Sequence, residues 1–82
     1  MYIEVTETKF YSIITKLEQT GISFIRNDDP KNGTAIFIYK KNGKDKVIAR
    51  IHVENFSDPK EIWKRIYQID NIFFKELEIP ID

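Results

Sequence analysis

The dipeptide Asn42-Gly43 separates two runs of strand-forming residues, 35–41 and 44–53. A two-residue type I′ turn requires positive φ at both central positions, and asparagine followed by glycine tolerates that conformation better than other pairs. The dipeptide therefore predicts a β-hairpin with a two-residue loop at the centre of the chain. Because side chains alternate along a strand, this turn also assigns each residue of the hairpin to one of two faces.

A regular hairpin with this loop places Ile38 opposite Val47 and Phe37 opposite Ile48. One face is then uniformly apolar and is predicted to be the core face: Ile36, Ile38, Val47, Ala49, Ile51 and Val53. The other face is mixed and is predicted to remain open: Ala35, Phe37, Tyr39, Lys46, Ile48, Arg50 and His52. Whether this second face binds a partner or is only the back of a small sheet is the main functional question that the hairpin raises.

An amphipathic helix precedes the hairpin. Apolar side chains recur at i, i+3, i+4 and i+7 as Phe10, Ile13, Ile14 and Leu17. Thr6 is the predicted N-cap, and Gly21 is the residue expected in the left-handed conformation after the last turn. A strand at 22–26 and a polar loop at 27–33 connect this helix to the hairpin, and residues 1–5 form a candidate edge strand.

A second helix is predicted after the hairpin. Asp58 fits the N-cap, Pro59 the first helical position and Glu61 the capping-box position. Two apolar stripes follow at helical spacing: Ile62, Ile66, Ile69 and Phe73, and beside them Trp63, Tyr67 and Phe74. Asp70-Asn71 is a potential break that would leave 72–77 as a short additional helix.

These elements predict one α+β domain over residues 1–82, built as two layers. The order is (β)αβββα(α): an antiparallel sheet of three strands, or four with residues 1–5, and two or three helices on one face. At 82 residues the chain has room for one modest core, so self-association is a way to gain stability.

Composition excludes several classes of function. Thirteen basic and thirteen acidic residues give zero net charge, which argues against a nucleic-acid coat protein. The chain has no cysteine, no apolar run near the ~20 residues that span a bilayer, and no secretory leader pattern, so we expect a cytoplasmic location. Heavy use of Ile, Lys and Asn is typical of AT-rich genomes and is compatible with an origin in a mobile element.

The inventory of catalytic residues is short. His52 is the only histidine, and the serines at 12, 23 and 57 are not spaced to meet it in a hydrolase triad. The three glycines are isolated, so no phosphate-binding loop is present, and no metal-ligand spacing appears. We therefore expect no enzymatic activity, no cofactor and no metal site.

Binding is the remaining class of function, and the sequence supports two versions of it. A small regulator, inhibitor or dimeric adaptor would contact another protein through the open face or the last helix, by Phe37, Tyr39, Lys46, Arg50, His52, Trp63 and Tyr67. An RNA- or DNA-binding protein would instead use the open face and the basic hairpin, by Lys40, Lys41, Lys44, Lys46 and Arg50. The structural alternative for the Trp63, Tyr67 and Phe74 stripe is packing on the first helix near Tyr11.

Overall fold

The computed structural model describes residues 1–57 and 61–81. Five strands and two helices follow one another in these residues: β1 (Tyr2–Val5), α1 (Glu7–Gln19), β2 (Phe24–Asp29), β3 (Thr34–Lys41), β4 (Lys44–Ser57), β5 (Glu61–Asp70) and α2 (Asn71–Glu76). The strands form one antiparallel sheet in the order β1-β5-β4-β3-β2. The α+β class is confirmed, whereas the predicted count of three or four strands is too low.

Helix α1 forms as its sequence predicts. The Thr6 hydroxyl accepts a hydrogen bond from the Lys9 amide at 3.2 Å, and Gly21 has a φ of 78° just after the helix. The four apolar residues of the predicted stripe are the buried residues of the helix: Phe10, Ile13, Ile14 and Leu17. Local capping signals and the apolar period agree here, so tertiary packing reinforces what the segment favours alone.

The β3–β4 hairpin begins as predicted and then changes register. Asn42 and Gly43 have φ values of 52° and 75°, as a type I′ turn requires, and Ile38 pairs with Val47. The register then shifts, so that Phe37 pairs with Ala49 rather than with Ile48. The extra residue on β4, Ile48, makes a β-bulge. Beyond it, each β4 side chain lies on the face opposite to the one that strict alternation from Val47 would give.

The predicted core face of β3 is therefore wrong. Phe37 is 2 % exposed and belongs to the core beneath α1, whereas Ile36 beside it is 37 % exposed. Ile38 pairs with Val47 on the same uncovered face, and both side chains are half-buried. On β4 the predicted core positions Ala49 and Ile51 are buried, and the partly exposed Val53 lies on the same helix-covered face. The bulge residue Ile48 is also buried, so the prediction that it faces outward is wrong.

The predicted second helix is also wrong, because residues 61–70 are a strand. Strand β5 pairs with β4 from Ala49↔Ile69 to Ser57↔Glu61. Isoleucine, tryptophan and tyrosine favour a strand, and β4 offers this segment a long partner. The proposed helix start at Asp58 and Pro59 lies outside the described residues.

A short helix does follow, at the predicted break. The Asp70 carboxylate caps α2 by accepting from the amides of Ile72 at 3.1 Å and Phe73 at 3.4 Å. Phe73 and Phe74 enter the same apolar core as α1. Both helices therefore cover one face of the sheet, and the opposite face, called the open face below, carries no helix in the described residues.

Strand β1 is the predicted edge strand, and it lies against β5 at one side of the sheet. Its pairing stops at Val5↔Tyr67, while the β3–β4 pairing stops at Ala35↔Ile51. Residues 52–57 and 61–66 consequently pair only with each other and form a two-stranded arm beyond the sheet. In the part of the chain that the structure describes, neither helix is long and apolar enough to cross a membrane.

Candidate protein-binding surfaces

Three of the predicted contact residues pack against the core on the helix-covered face. The predicted open-face residue Lys46 lies on this side as well, because it pairs with Tyr39. The Phe37 ring is 5.5 Å from that of Phe10, centroid to centroid, and the Tyr39 ring is 5.2 Å from that of Phe73. Phe37 is buried and Tyr39 is half-buried against the core. The β-bulge explains why both rings face the core, because a regular ladder with Ala49 and Ile51 in the core would turn both rings outward. Neither ring is available as the centre of an open-face site.

Tyr67 is the third of these residues, and it is 5 % exposed. Its ring lies 5.9 Å from that of Tyr11, so packing of this side chain on the first helix is confirmed. Its hydroxyl donates to the Glu7 carboxylate at 2.6 Å. This hydrogen bond, burial and the negative charge of Glu7 together raise the pKa of Tyr67 above its ordinary value. Tyr67 ties β5 to the start of α1.

An aliphatic patch occupies the open face over strands β2, β3 and β4. Ile25, Ile38 and Val47 are directly paired across the three strands, and Ile36 lies two residues before Ile38 on β3. Ile25 is 40 % exposed and Ile36 37 %, while Ile38 and Val47 are half-buried. These four residues are called the sheet patch below.

Arg50 and His52 lie on the open face, as the sequence predicts. The Arg50 Nε donates to the Gln68 side-chain oxygen at 2.6 Å, and its guanidinium lies 4.6 Å from the centre of the Tyr2 ring. Tyr2 in turn donates its hydroxyl to the Val47 backbone carbonyl. His52 Nε2 is 3.3 Å from Glu54 Oε1. Polar side chains beside the sheet patch are thus already engaged within the chain.

Trp63 lies on the arm, and at 62 % it is the most exposed of the aromatic residues whose side chains the structure describes. The register puts Trp63 and Arg65 on the helix side of β5, further along the arm than Tyr67, which contacts the start of α1. A cleft of about 670 Å³ separates this part of the arm from the β2–β3 turn. We call Trp63, Arg65, Val53, Lys31 and Asn32, which line the cleft, the Trp63 surface.

The basic residues of the hairpin are partly neutralised. Lys40 Nζ is 2.9 Å from Asp45 Oδ2, and Lys46 Nζ is 3.4 Å from Asp70 Oδ2. Lys46 also lies 5.8 Å from the centre of the Phe73 ring. Lys41 and Lys44 are exposed where they pair beside the turn. The hairpin therefore presents less free positive charge than its sequence suggests.

Asp70 is the one buried acidic residue in the described part of the chain. Burial opposes its ionisation, but the Phe73 amide, the Lys46 ammonium and the N-terminal ammonium outweigh burial and lower the pKa of this carboxyl below its ordinary value of 3.8. The N-terminal ammonium lies 3.4 Å from Asp70 Oδ1. Asp70 thereby joins the chain start, β4 and α2, and its contacts account for it structurally.

Within residues 1–57 and 61–81, no three His, Cys, Asp or Glu side chains are grouped so that they could hold a metal ion. A scan against protein-family models finds no match for the sequence, and neither the curated proteins nor the solved structures contain a significant match.

Sequence reasoning missed most of both surfaces. Ile36, Ile38 and Val47 are predicted to be core because nothing in the alternation of β3 and β4 marks a bulge, and the sequence assigns Ile25 to a strand without assigning its face. The sequence does not single out Lys31 and Arg65, because a helix in place of β5 would separate Arg65 from the β2–β3 turn. The alternation of Trp63, Arg65, Tyr67 and Ile69 is the one sequence signal that would have placed Trp63 and Arg65 on the same side of a strand.

Proposed function

We propose that this chain is a small non-catalytic module that acts by binding another protein through the Trp63 surface. The observation that carries the proposal is the exposure of Trp63, at 62 %, on an arm that projects beyond the sheet. Tryptophan and arginine are the residue types most enriched among side chains that dominate protein–protein binding energies. Trp63 and Arg65 stand two positions apart on the same side of β5.

The position of Trp63 supports a role in binding rather than in folding. The core cluster contains fully buried side chains such as Phe10, Phe37 and Phe74, and Trp63 does not belong to it. Covering the indole with a partner would remove most of its remaining apolar surface from water, at about 25 cal/mol per Å². The cleft beside it has room for a partner side chain and is bordered by Lys31 and Arg65. A protein segment that offers an apolar side chain beside a carboxylate fits this surface.

Binding of RNA or DNA is the competing function. It would rely on the basic hairpin, where Lys40 and Lys46 each have an acidic partner. The zero net charge supplies no long-range attraction to a polyanion. Both observations favour a protein partner.

The test compares what tagged variants capture from the native host. Wild type, Trp63→Ala and Ile72→Ala are used as bait, and the eluates are analysed by mass spectrometry after nuclease treatment. Ile72 is the matched control because it is 51 % exposed but lies on α2, away from the arm. Partners captured by wild type and Ile72→Ala should be lost with Trp63→Ala.

Two results would count against the proposal. Capture of the same proteins by Trp63→Ala and wild type would exclude Trp63 as the contact. Release of all captured material by nuclease, or by moderate salt, would indicate that nucleic acid is the partner, because phosphate contacts weaken steeply with salt.

A further inference from the structure

The sheet patch is a contiguous apolar area that no element of the described chain covers. Its residues belong to three adjacent strands, and both helices pack on the opposite face. The core is complete without it, since fully buried side chains such as Phe37, Ile48 and Ile69 lie on the other side or in the bulge. A contiguous exposed apolar patch rimmed by polar residues is typical of an interaction site.

Two polar groups beside the patch already have partners within the chain. Burying a polar group that has no hydrogen-bond partner is expensive. Here the Tyr2 hydroxyl donates to the Val47 carbonyl, and the Arg50 Nε donates to Gln68. A partner that docks on the open face can therefore cover the Tyr2 hydroxyl at little cost, whereas the other N–H groups of the Arg50 guanidinium need an acceptor from the partner or from water at the rim.

The charges around the patch are compatible with a second copy of this chain as the partner. Side chains of both signs share the open face: Lys40, Arg50 and Lys64 are basic, and Glu4, Asp45 and Glu54 are acidic. A twofold-symmetric interface brings the same surface against itself, so a face of one sign would repel its copy, whereas a mixed face can pair. The zero net charge of the chain also removes long-range repulsion between two copies.

We propose that the sheet patch is the centre of a twofold interface between two copies of this chain, packed sheet against sheet. The sheet patch offers little apolar area, since only Ile25 and Ile36 are exposed and its other two residues are half-buried. We therefore expect a weak dimer, with a dissociation constant in the micromolar range or above. The interface is independent of the Trp63 surface, which lies on the helix side of the arm.

Sedimentation velocity of the purified chain over concentrations from about 1 to 500 µM measures this association. Wild type should shift from monomer towards dimer as its concentration rises. Ile36→Lys and Ile25→Lys each place two lysines in the symmetric interface, and each should weaken association by at least about tenfold. Both sites are exposed, so both variants should retain wild-type circular dichroism.

Ile72→Lys is the matched control, since Ile72 is exposed on α2 on the helix-covered side. It should associate as wild type does, and so should Trp63→Ala. A wild-type chain that stays monomeric throughout the range would overturn the proposal. Undiminished association of both lysine variants at the patch would also overturn it, as would loss of association in Trp63→Ala, which would move the interface to the arm.

Discussion

Replacement of Phe37 by alanine should be far more damaging than replacement of its neighbour Ile36. Phe37 is 2 % exposed, and its ring packs edge-on against Phe10 at 5.5 Å and lies 5.3 Å from the Arg26 guanidinium. Truncation of a buried phenylalanine costs about 3–5 kcal/mol. An 82-residue domain has a total stability of about 4–12 kcal/mol, so Phe37→Ala removes a large share of it.

Ile36→Ala should cost less than about 1 kcal/mol, because this side chain is 37 % exposed on the open face. The assay is urea denaturation followed by circular dichroism, with Phe37→Leu as a milder variant if Phe37→Ala fails to fold. For a domain of this size, 1 kcal/mol corresponds to about 4–8 °C in Tm. Phe37→Ala should therefore lower Tm by at least about 12 °C, or leave the chain unfolded.

A regular hairpin without the bulge predicts the reverse order, with Ile36 in the core and Phe37 outside. A larger loss for Ile36→Ala than for Phe37→Ala would refute the bulged register. Thiol labelling gives an independent check, because the chain contains no cysteine. In the folded protein, Ile36→Cys should react with a thiol reagent nearly as fast as a free thiol, and Phe37→Cys should be protected.

Three further substitutions test other parts of the fold. Asp70→Asn keeps a capping side chain but removes the charge, so it should lower the free energy of unfolding by about 1 kcal/mol at neutral pH. Because the folded state lowers the pKa of Asp70, the stability difference between wild type and variant should be full above the ordinary pKa of 3.8 and should vanish as pH falls through the folded pKa. Denaturation at several pH values measures this dependence. Tyr67→Phe removes the donor to Glu7 and should lower the free energy of unfolding by about 0.5–1.5 kcal/mol in urea. Gly43→Ala forces a methyl group into a φ of 75° and should cost about 1–2 kcal/mol in thermal melts, whereas Gly43→Asn should cost less.

Local signals in the sequence determined part of this fold. Helix α1 was predictable from its caps to its buried stripe because Thr6, Gly21 and the apolar period all specify the same segment. The turn at Asn42-Gly43 was predictable for the same reason, since both residues tolerate the positive φ that the turn imposes. The potential break at Asp70-Asn71 also coincides with the start of α2.

The bulge could not be predicted, because it depends on packing between distant residues. Alternation in β3 allows either the isoleucines or the aromatic rings to face inward. The bulge lets Ile48 and Ala49 both be buried while Phe37 reaches Phe10 on α1. Which face of β3 packs against α1 depends on how the aromatic rings fill the space under the helix, and a local sequence pattern does not predict this packing.

The sequence of strand β5 predicts a helix because its apolar residues recur at the helical period as well as at the two-residue period of a strand. Ile62, Ile66 and Ile69 recur at helical spacing, while Trp63, Arg65, Tyr67 and Ile69 alternate as a strand requires. Pairing with the long strand β4 favours the extended conformation over the helix, and this pairing is a tertiary interaction that the local pattern of β5 does not show. The helix prediction also prevented recognition of the Trp63 surface, because Arg65 and Lys31 line the same cleft only when β5 is extended.

Trp63 is the only tryptophan, so its fluorescence tests the central claim most directly. In the purified chain, its emission and its quenching by iodide should resemble those of free indole, because the side chain is 62 % exposed. Addition of a partner without tryptophan, chosen from the proteins that wild type but not Trp63→Ala captures, should shift the emission to shorter wavelength and protect it from iodide. Unchanged emission and quenching at saturating partner would contradict a contact centred on Trp63.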